Sequence, residues 1–108
     1  MTIRIVRYLS ADGRDLFQDW LDRLADHVGR KAVTRRLLRV AAGNLGDWKP
    51  CRDGVAELRI DVGPGYRVYF ARTAREIVLL LCAGDKQSQD KDIERAVGLW
   101  RDWQRRRE

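Results

Sequence analysis

The fold is decided by ELRIDVGPGYRVYF, the stretch at residues 57–70. In its first half, Leu58 and Ile60 alternate with polar side chains, which is the period-two pattern of a strand with one buried face. A Gly-Pro-Gly turn follows at residues 63–65, because glycine permits positive φ and proline has no N–H for a sheet. The return segment is rich in aromatic and β-branched residues, which suit a pleated surface. The stretch therefore predicts a β-hairpin.

The alternation assigns the side chains of this hairpin to two faces. We expect four apolar side chains to share the core face: Leu58, Ile60, Val68 and Phe70. Four others then share the opposite face, which we expect to be open: Glu57, Arg59, Arg67 and Tyr69. The guanidiniums of Arg59 and Arg67 would repel each other, and an anion such as phosphate would relieve that repulsion. Alternatively, Arg59 pairs with Glu57 or Asp61, or Arg67 balances a carboxylate such as Glu57, and the face has no ligand.

Composition limits the class of protein. A chain of 108 residues fits one domain, residues 1–108, with a modest core. The net charge of +6 favours polyanionic partners. The two cysteines, Cys51 and Cys82, stand far apart without a Cys/His cluster, so we expect no metal site. No signal-peptide core or membrane-length apolar stretch is present, so we expect a cytoplasmic protein without membrane partners.

The first half of the chain predicts one strand and two helices. Residues 3–9 indicate the strand, and residues 14–26 carry the apolar stripe of an amphipathic helix. A second helix is predicted over residues 30–42, and it carries five cations and no acidic residue: Arg30, Lys31, Arg35, Arg36 and Arg39. We expect Arg35, Arg36 and Arg39 to contact RNA backbone. A solvated face or a dock for an acidic partner would explain the same pattern.

The second half predicts strands and a final helix around the hairpin. Residues 43–50 are predicted to be a glycine-rich connection into it. Residues 77–82 are wholly apolar, as expected of a central strand covered on both faces. The last helix follows Ser88 or Asp90, either of which can cap it. The order β-α-α-β-β-β-α therefore predicts a small α+β domain with a mainly antiparallel sheet.

Three motifs carry a family resemblance: ELRID at 57–61, GPGYRVYF at 63–70 and IVLLLCAGDK at 77–86. Together they resemble the RelE/HigB superfamily of toxins, most closely its branch of addiction-module killer proteins, also called phage-derived Gp49-like proteins. The resemblance implies a RelE-like, microbial-ribonuclease-like fold and cleavage of mRNA in the ribosomal A site. It also implies a cognate antitoxin, commonly a small helix-turn-helix protein, that binds and silences the toxin.

The resemblance also implies site residues. Arg67 matches the arginine that contacts the scissile phosphate, and Arg59 matches a basic residue on the preceding strand. Lys86 matches a basic residue just after the glycine of the last strand, whereas Glu57 stands where some relatives are basic. The better-studied members use a tyrosine or histidine near the C-terminal segment, and this chain reads KDI at residues 91–93.

These residues would support cleavage without metal or cofactor, in which the ribose 2′-hydroxyl attacks the adjacent phosphorus. Arg59 and Arg67 would stabilise the charge that develops on the phosphorane oxygens. Lys86 or Glu57 would transfer protons, and Tyr69 would contact the RNA. Two other functions stay open: a non-catalytic RNA- or ribosome-binding module, and an interaction protein whose basic face holds an acidic partner.

Overall fold

The computed structural model describes residues 2–107, and within them five strands and three helices form one sheet with helices on both faces. Their bounds in chain order are β1 Arg4–Arg7, α1 Leu16–Arg23, α2 His27–Ala41, β2 Trp48–Arg52, β3 Val55–Ile60, β4 Tyr66–Ala74, β5 Ile77–Asp85 and α3 Gln89–Arg106. A single 3₁₀ turn, Lys86–Ser88, leads from β5 into α3. The α+β class is confirmed.

The sheet has the strand order β1-β5-β4-β3-β2. Only β1 and β5 run parallel, and the other three neighbouring pairs are antiparallel. The predicted hairpin is present as β3 and β4, with Leu58 opposite Val68. Its turn uses positive φ at Gly63 and Gly65, the conformation that glycine adopts without strain. The mainly antiparallel sheet is therefore also confirmed.

Strand β2 lies where the sequence predicted a connection. Its backbone pairs with β3, with Trp48 opposite Leu58 and Lys49 opposite Glu57. Because β2 is an edge strand, Pro50 is tolerated there although it has no N–H to donate. The side chains of β2 are mostly exposed, so no apolar alternation marks the strand in the sequence. Backbone pairing with β3, rather than burial of side chains, holds β2 in the sheet.

Two apolar clusters cover the two faces of the sheet. The first packs against α1 and α2 and includes the four predicted core residues of the hairpin, whose side chains are at most 5% exposed. The second packs against α3 and contains Tyr69, Leu79 and Leu81. The apolar strand β5 contributes to both clusters, as predicted. The hairpin face that we expected to be open is instead covered, because α3 lies across it.

The N-terminus of α2 is fixed by a carboxylate and a tyrosine. The helix begins earlier than predicted because the Asp26 side chain caps it, accepting from the N–H of Gly29 at 3.1 Å. The buried Tyr66 hydroxyl donates to the same carboxylate at 2.6 Å. Gly29 provides the space, since a Cβ there would lie 2.4 Å from the Tyr66 ring. The cap thus joins α2 to the start of β4.

Replacing Phe70 tests the assigned strand phase, that is, which side chains of β4 face the core. The side chain is 1% exposed and lies in the cluster beneath α1 and α2. Phe70→Ala should lower the free energy of unfolding by ~3–5 kcal/mol, because it removes apolar contacts and leaves a cavity. Phe70→Leu should cost less, since it retains most of the volume. Denaturant unfolding measures both, and an unchanged midpoint for Phe70→Ala would show that the strand phase is wrong.

The three tyrosines predict alkaline unfolding. Burial, followed by hydrogen bonding to Asp26, raises the pKa of Tyr66 to about 12. Burial is also the main cause that raises the pKa of Tyr8 and the pKa of Tyr69. An unfolded tyrosine ionises near pH ~10, so above that pH the unfolded chain binds fewer protons than the folded one. The free energy of unfolding should therefore fall as the pH rises from ~10 towards ~12.

Absorbance at 295 nm and circular dichroism, followed together during an alkaline titration, measure this effect. Tyrosinate should form together with the loss of secondary structure. A complete tyrosinate step near pH ~10 with unchanged circular dichroism would contradict the raised pKa values.

Candidate functional site

The register of the hairpin brings two arginines side by side. Arg59 of β3 lies directly opposite Arg67 of β4, and Gly84 of β5 lies opposite Arg67 on the other side. Directly opposed residues of an antiparallel pair have Cβ atoms roughly 4.5–5.5 Å apart. The two arginines are therefore neighbours across the strand pair, as the alternation predicted.

Arg67 is buried in an ion pair. Its side chain and that of Glu57 are each 4% exposed, and the Arg67 Nε lies 3.0 Å from the Glu57 Oε2. The Nε–H does not point at that oxygen, so the contact is an ion pair rather than a hydrogen bond. The Arg67 Nη1 donates to the Tyr66 carbonyl at 3.0 Å and lies 3.9 Å from Asp61. The expectation of an open Arg67 is wrong, and the alternative of pairing with Glu57 is what the structure contains.

Glu57 is held by three other elements besides its own strand. The Gln89 amide, at the start of α3, donates to both carboxylate oxygens at 2.9 and 3.2 Å. The Cys51 thiol, on β2, donates to Oε1 at 3.4 Å. Burial and then the carboxylate raise the pKa of Cys51 to about 12, so at neutral pH the thiol is protonated and able to donate. No local pattern predicts these contacts, although Cys51 lies only six residues before Glu57, whereas Gln89 lies 32 residues after it.

Tyr69 does not lie on an RNA-accessible surface. Its side chain is 0% exposed and belongs to the cluster under α3. Its hydroxyl is buried without a hydrogen-bond partner, and burial together with the charge of Glu57 raises the pKa of Tyr69. The predicted RNA contact is therefore incompatible with this placement. Tyr69 is a core residue, because the covering helix removes its whole face from solvent.

Arg59 is the less constrained arginine of the cluster. It is partly exposed, and none of the ion pairs found in residues 2–107 includes it. Its Nε is buried and has no hydrogen-bond partner. Buried polar groups are normally paired, so an orphaned cationic donor is a place where an anion would be stabilised.

Lys86 lies at the rim of the same cluster. Its backbone N–H donates to the Gly65 carbonyl at 2.7 Å, which joins the 3₁₀ turn to the hairpin turn. A Cβ at Gly65 would lie 3.5 Å from the Lys86 Cβ and 3.6 Å from the Arg67 Nη1. The Lys86 side chain is exposed. The structure thus brings together the four predicted catalytic residues: Glu57, Arg59, Arg67 and Lys86.

Two polar residues at the start of α3, Ser88 and Asp92, lie next to Gly84 of β5. Ser88 donates its hydroxyl to Asp92 at 2.5 Å. A Cβ at Gly84 would clash with the Asp92 Oδ2, so glycine at this position lets the carboxylate approach β5. Asp92 belongs to the KDI segment, where the resemblance implied a tyrosine or histidine that this chain lacks. The structure therefore places a carboxylate against the strand residue that faces Arg67.

Arg36 is not part of an exposed basic face. Its side chain is buried and donates to the carbonyls of Leu45, Asp47 and Arg59. A Cβ at Gly46 would lie 2.8 Å from the Arg36 Nε. Burial lowers the pKa of Arg36. The prediction that Arg36 contacts RNA is wrong. Its guanidinium has a structural role instead, because its donors already bind backbone carbonyls of the loop before β2 and of β3.

Arg35 and Arg39, the other two predicted RNA contacts, are exposed. Both line a cleft of about 380 Å³ between α2 and the end of β3, which Asp47 and Asp61 also border. This cleft lies on the α2 side of the sheet, whereas the cluster of Arg67 and Glu57 lies under α3. Arg59 also lines this cleft, so it is the residue that the two groups of predicted residues share.

Residues 2–107 contain neither a cluster of metal-ligating side chains nor a membrane-spanning helix. Among the described residues, His, Cys, Asp and Glu nowhere form a group of three or more that could hold a metal ion. No helix in residues 2–107 has the length and apolar character needed to cross a membrane.

Comparison with known proteins gives the family of the chain. A sequence model described as "Phage derived protein Gp49-like (DUF891)" matches residues 19–99, a range that includes the hairpin and the whole arginine cluster. An "Uncharacterized protein" of Haemophilus influenzae (strain ATCC 51907 / DSM 11121 / KW20 / Rd) is 44% identical over 96 residues, which are 89% of this chain and 91% of the relative. The chain belongs to the family of phage-derived Gp49-like proteins.

Proposed function

We propose that this protein is the toxin of a type II toxin–antitoxin module and cleaves mRNA on the ribosome, thereby inhibiting translation. Family membership supports the toxin assignment, because the Gp49-like branch resembles the RelE/HigB toxins. The observation that carries the ribonuclease assignment is the opposition of Arg59 and Arg67 at one end of the sheet. The cognate antitoxin, which we propose to be a small helix-turn-helix protein, would be its protein partner.

The arginine pair has unsatisfied donors. The Arg59 Nε is buried without a partner, whereas the buried Arg67 Nε makes no hydrogen bond but lies 3.0 Å from the Glu57 Oε2. Leaving a buried donor unpaired costs roughly 1–3 kcal/mol, and more for a charged group. A phosphate would supply acceptor oxygens to both guanidiniums in the planar geometry that arginine favours. An RNA backbone is therefore a ligand that suits the pair.

The proposed reaction is an attack of the ribose 2′-hydroxyl on the adjacent phosphorus. As the new O–P bond forms, the 2′-hydroxyl would give its proton to the Glu57 carboxylate, once Gln89 has left it, and the bond to the 5′-oxygen would break. The products are then a 2′,3′-cyclic phosphate and a free 5′-hydroxyl. Arg59 and Arg67 would stabilise the non-bridging oxygens as their charge grows. Glu57 orients the Arg67 guanidinium. Lys86, exposed at the rim, is the group to which we assign proton transfer to the departing oxygen.

Access to Arg67 depends on the first turn of α3. Gln89 covers the pair through its two hydrogen bonds to Glu57, and both ionic side chains are 4% exposed. A phosphate would first meet Lys86 and Arg59, and would reach Arg67 when the Gln89 amide leaves the carboxylate. Catalytic hydrogen bonds often form fully only with substrate bound, so the closed arrangement is compatible with the proposal.

Induced expression tests the proposal directly. Expression should arrest growth, stop protein synthesis and create new mRNA 5′ ends within translated regions. Coexpression of the protein encoded by the adjacent reading frame should relieve the arrest. Normal growth and protein synthesis despite confirmed expression would remove the toxin assignment. Arrest without new 5′ ends would favour the non-catalytic RNA- or ribosome-binding alternative.

Arg59→Ala separates catalysis from folding. Arg59 has no ion-pair partner within the described residues, so the variant should keep the melting temperature of the wild type. Removing one donor to the developing charge should lower the cleavage rate by roughly a hundredfold to a thousandfold, as for a lost oxyanion-hole donor. Cleavage of mRNA in a translating extract measures the rate.

The matched control is Arg72→Ala, an exposed arginine near the far end of β4, which should cleave at the wild-type rate. A folded Arg59→Ala protein with wild-type cleavage would contradict the catalytic role. Arg67→Ala is a poorer test, because it leaves Glu57 as an unpaired buried charge and should cost ~3–5 kcal/mol of stability.

A further inference from the structure

We propose that the outward face of α2 is a docking surface for an acidic amphipathic segment of a partner protein. The α2 surface is formed by Val28, Lys31, Arg35, Leu38 and Arg39. The inference rests on the proposed function only in taking the antitoxin as the protein that carries this segment. The surface itself is argued from exposure, charge and shape.

Two large apolar side chains of this surface are unusually exposed. Val28 is 68% and Leu38 67% exposed, more than the other exposed large hydrophobics of residues 2–107, Leu9 and Trp48. They are ten residues apart, which corresponds to ~15 Å along a helix. A single exposed hydrophobic residue is common, but two on one cationic helix face form an apolar pair that a partner can cover.

The cations between and beside them have no acidic partners. Helix α2 contains no acidic residue. Four of its cations take part in no ion pair within the part of the chain that the structure describes: Arg30, Lys31, Arg35 and Arg39. On α3, in contrast, Arg101 pairs with Asp53, and Arg106 pairs with Asp102. The positive charge of α2 therefore remains available for carboxylates supplied by a partner.

The α2 surface borders two depressions that could accept side chains of a partner. A depression of about 410 Å³ is lined by His27, Arg30, Lys31, Thr34 and Arg35. The cleft of about 380 Å³ between α2 and β3 begins at Arg35 and Arg39. Because Arg35 borders both, a segment lying across α2 could place one side chain in each depression and a carboxylate on Arg35.

The apolar pair favours a protein segment over RNA. Proteins read single-stranded RNA by stacking bases on aromatic rings or guanidinium planes, and bind its backbone with cations. Val28 and Leu38 are aliphatic and cannot stack on bases. They are suited instead to the apolar stripe of an amphipathic helix, whose flanking carboxylates would meet Lys31 and Arg35. The surface lies on the other side of the sheet from the Arg67–Glu57 pair, and the cleft at its edge is also lined by Arg59.

Binding to purified full-length protein tests this inference without any RNA cleavage. The probe is a labelled synthetic helical peptide with leucines along one stripe and glutamates beside it, measured by fluorescence anisotropy. The neutral variant Val28→Ser/Leu38→Ser should weaken binding by about tenfold or more, because it removes apolar area without changing charge. Arg35→Glu should also weaken binding, whereas Arg95→Glu, an exposed arginine of α3, should not.

The outcomes separate protein from RNA as the occupant. A labelled single-stranded RNA oligonucleotide serves as the second probe. No peptide binding, or peptide binding that the double serine variant leaves unchanged, would overturn the inference. RNA binding that Arg35→Glu abolishes and the serine variant spares would assign the surface to RNA and overturn it equally. None of these results depends on toxicity, so each is distinguishable from failure of the proposed function.

Discussion

The buried carboxylate of Glu57 is the constraint around which the sheet and its last helix are arranged. A charge removed from water must find partners, and here they come from three directions: Arg67 of β4, Gln89 of α3 and Cys51 of β2. The Gln89 contact spans 32 residues of sequence and joins α3 to the middle of the sheet. A buried ion pair often stabilises a protein no better than apolar residues of the same volume would. Its presence inside an otherwise apolar layer therefore favours a functional reason for keeping a charge there.

The position of the cluster follows from the way the sheet ends. Along most of its length, the face under α3 is filled by apolar side chains such as Leu79 and Leu81. Only near the hairpin turn do arginines replace them, and there Gly65 and Gly84 leave room for Lys86 and Asp92 to approach. Glycines thus leave space for polar side chains at one end of the sheet, while bulky apolar side chains fill the rest of this face. Any anion that reaches this face must enter at that end.

Charge is distributed unevenly between the two sides of the molecule. On α3, Arg105 and Arg106 pair with Asp102 one turn away, so local neighbours compensate them. On α2, by contrast, one arginine of the basic run has a structural role. Arg36 donates to carbonyls in the loop before β2 and at the end of β3. The rest of that run makes no ion pair within residues 2–107. The outer side of α2 therefore carries positive charge that local carboxylates do not pair.

The sequence by itself determined the hairpin, its turn and which of its side chains face the core. Period-two alternation is a local property, and the residues it placed inside, such as Leu58 and Phe70, are buried. Only the tertiary structure decided that β2 is a strand, that α3 covers the second face and that Arg36 and Arg67 are buried. Each of these depends on tertiary contacts: backbone pairing at a sheet edge, one helix laid across four strands, and carbonyls brought to a guanidinium. A local pattern shows which side chains share a face, but the element that covers that face is set by the packing of the whole chain.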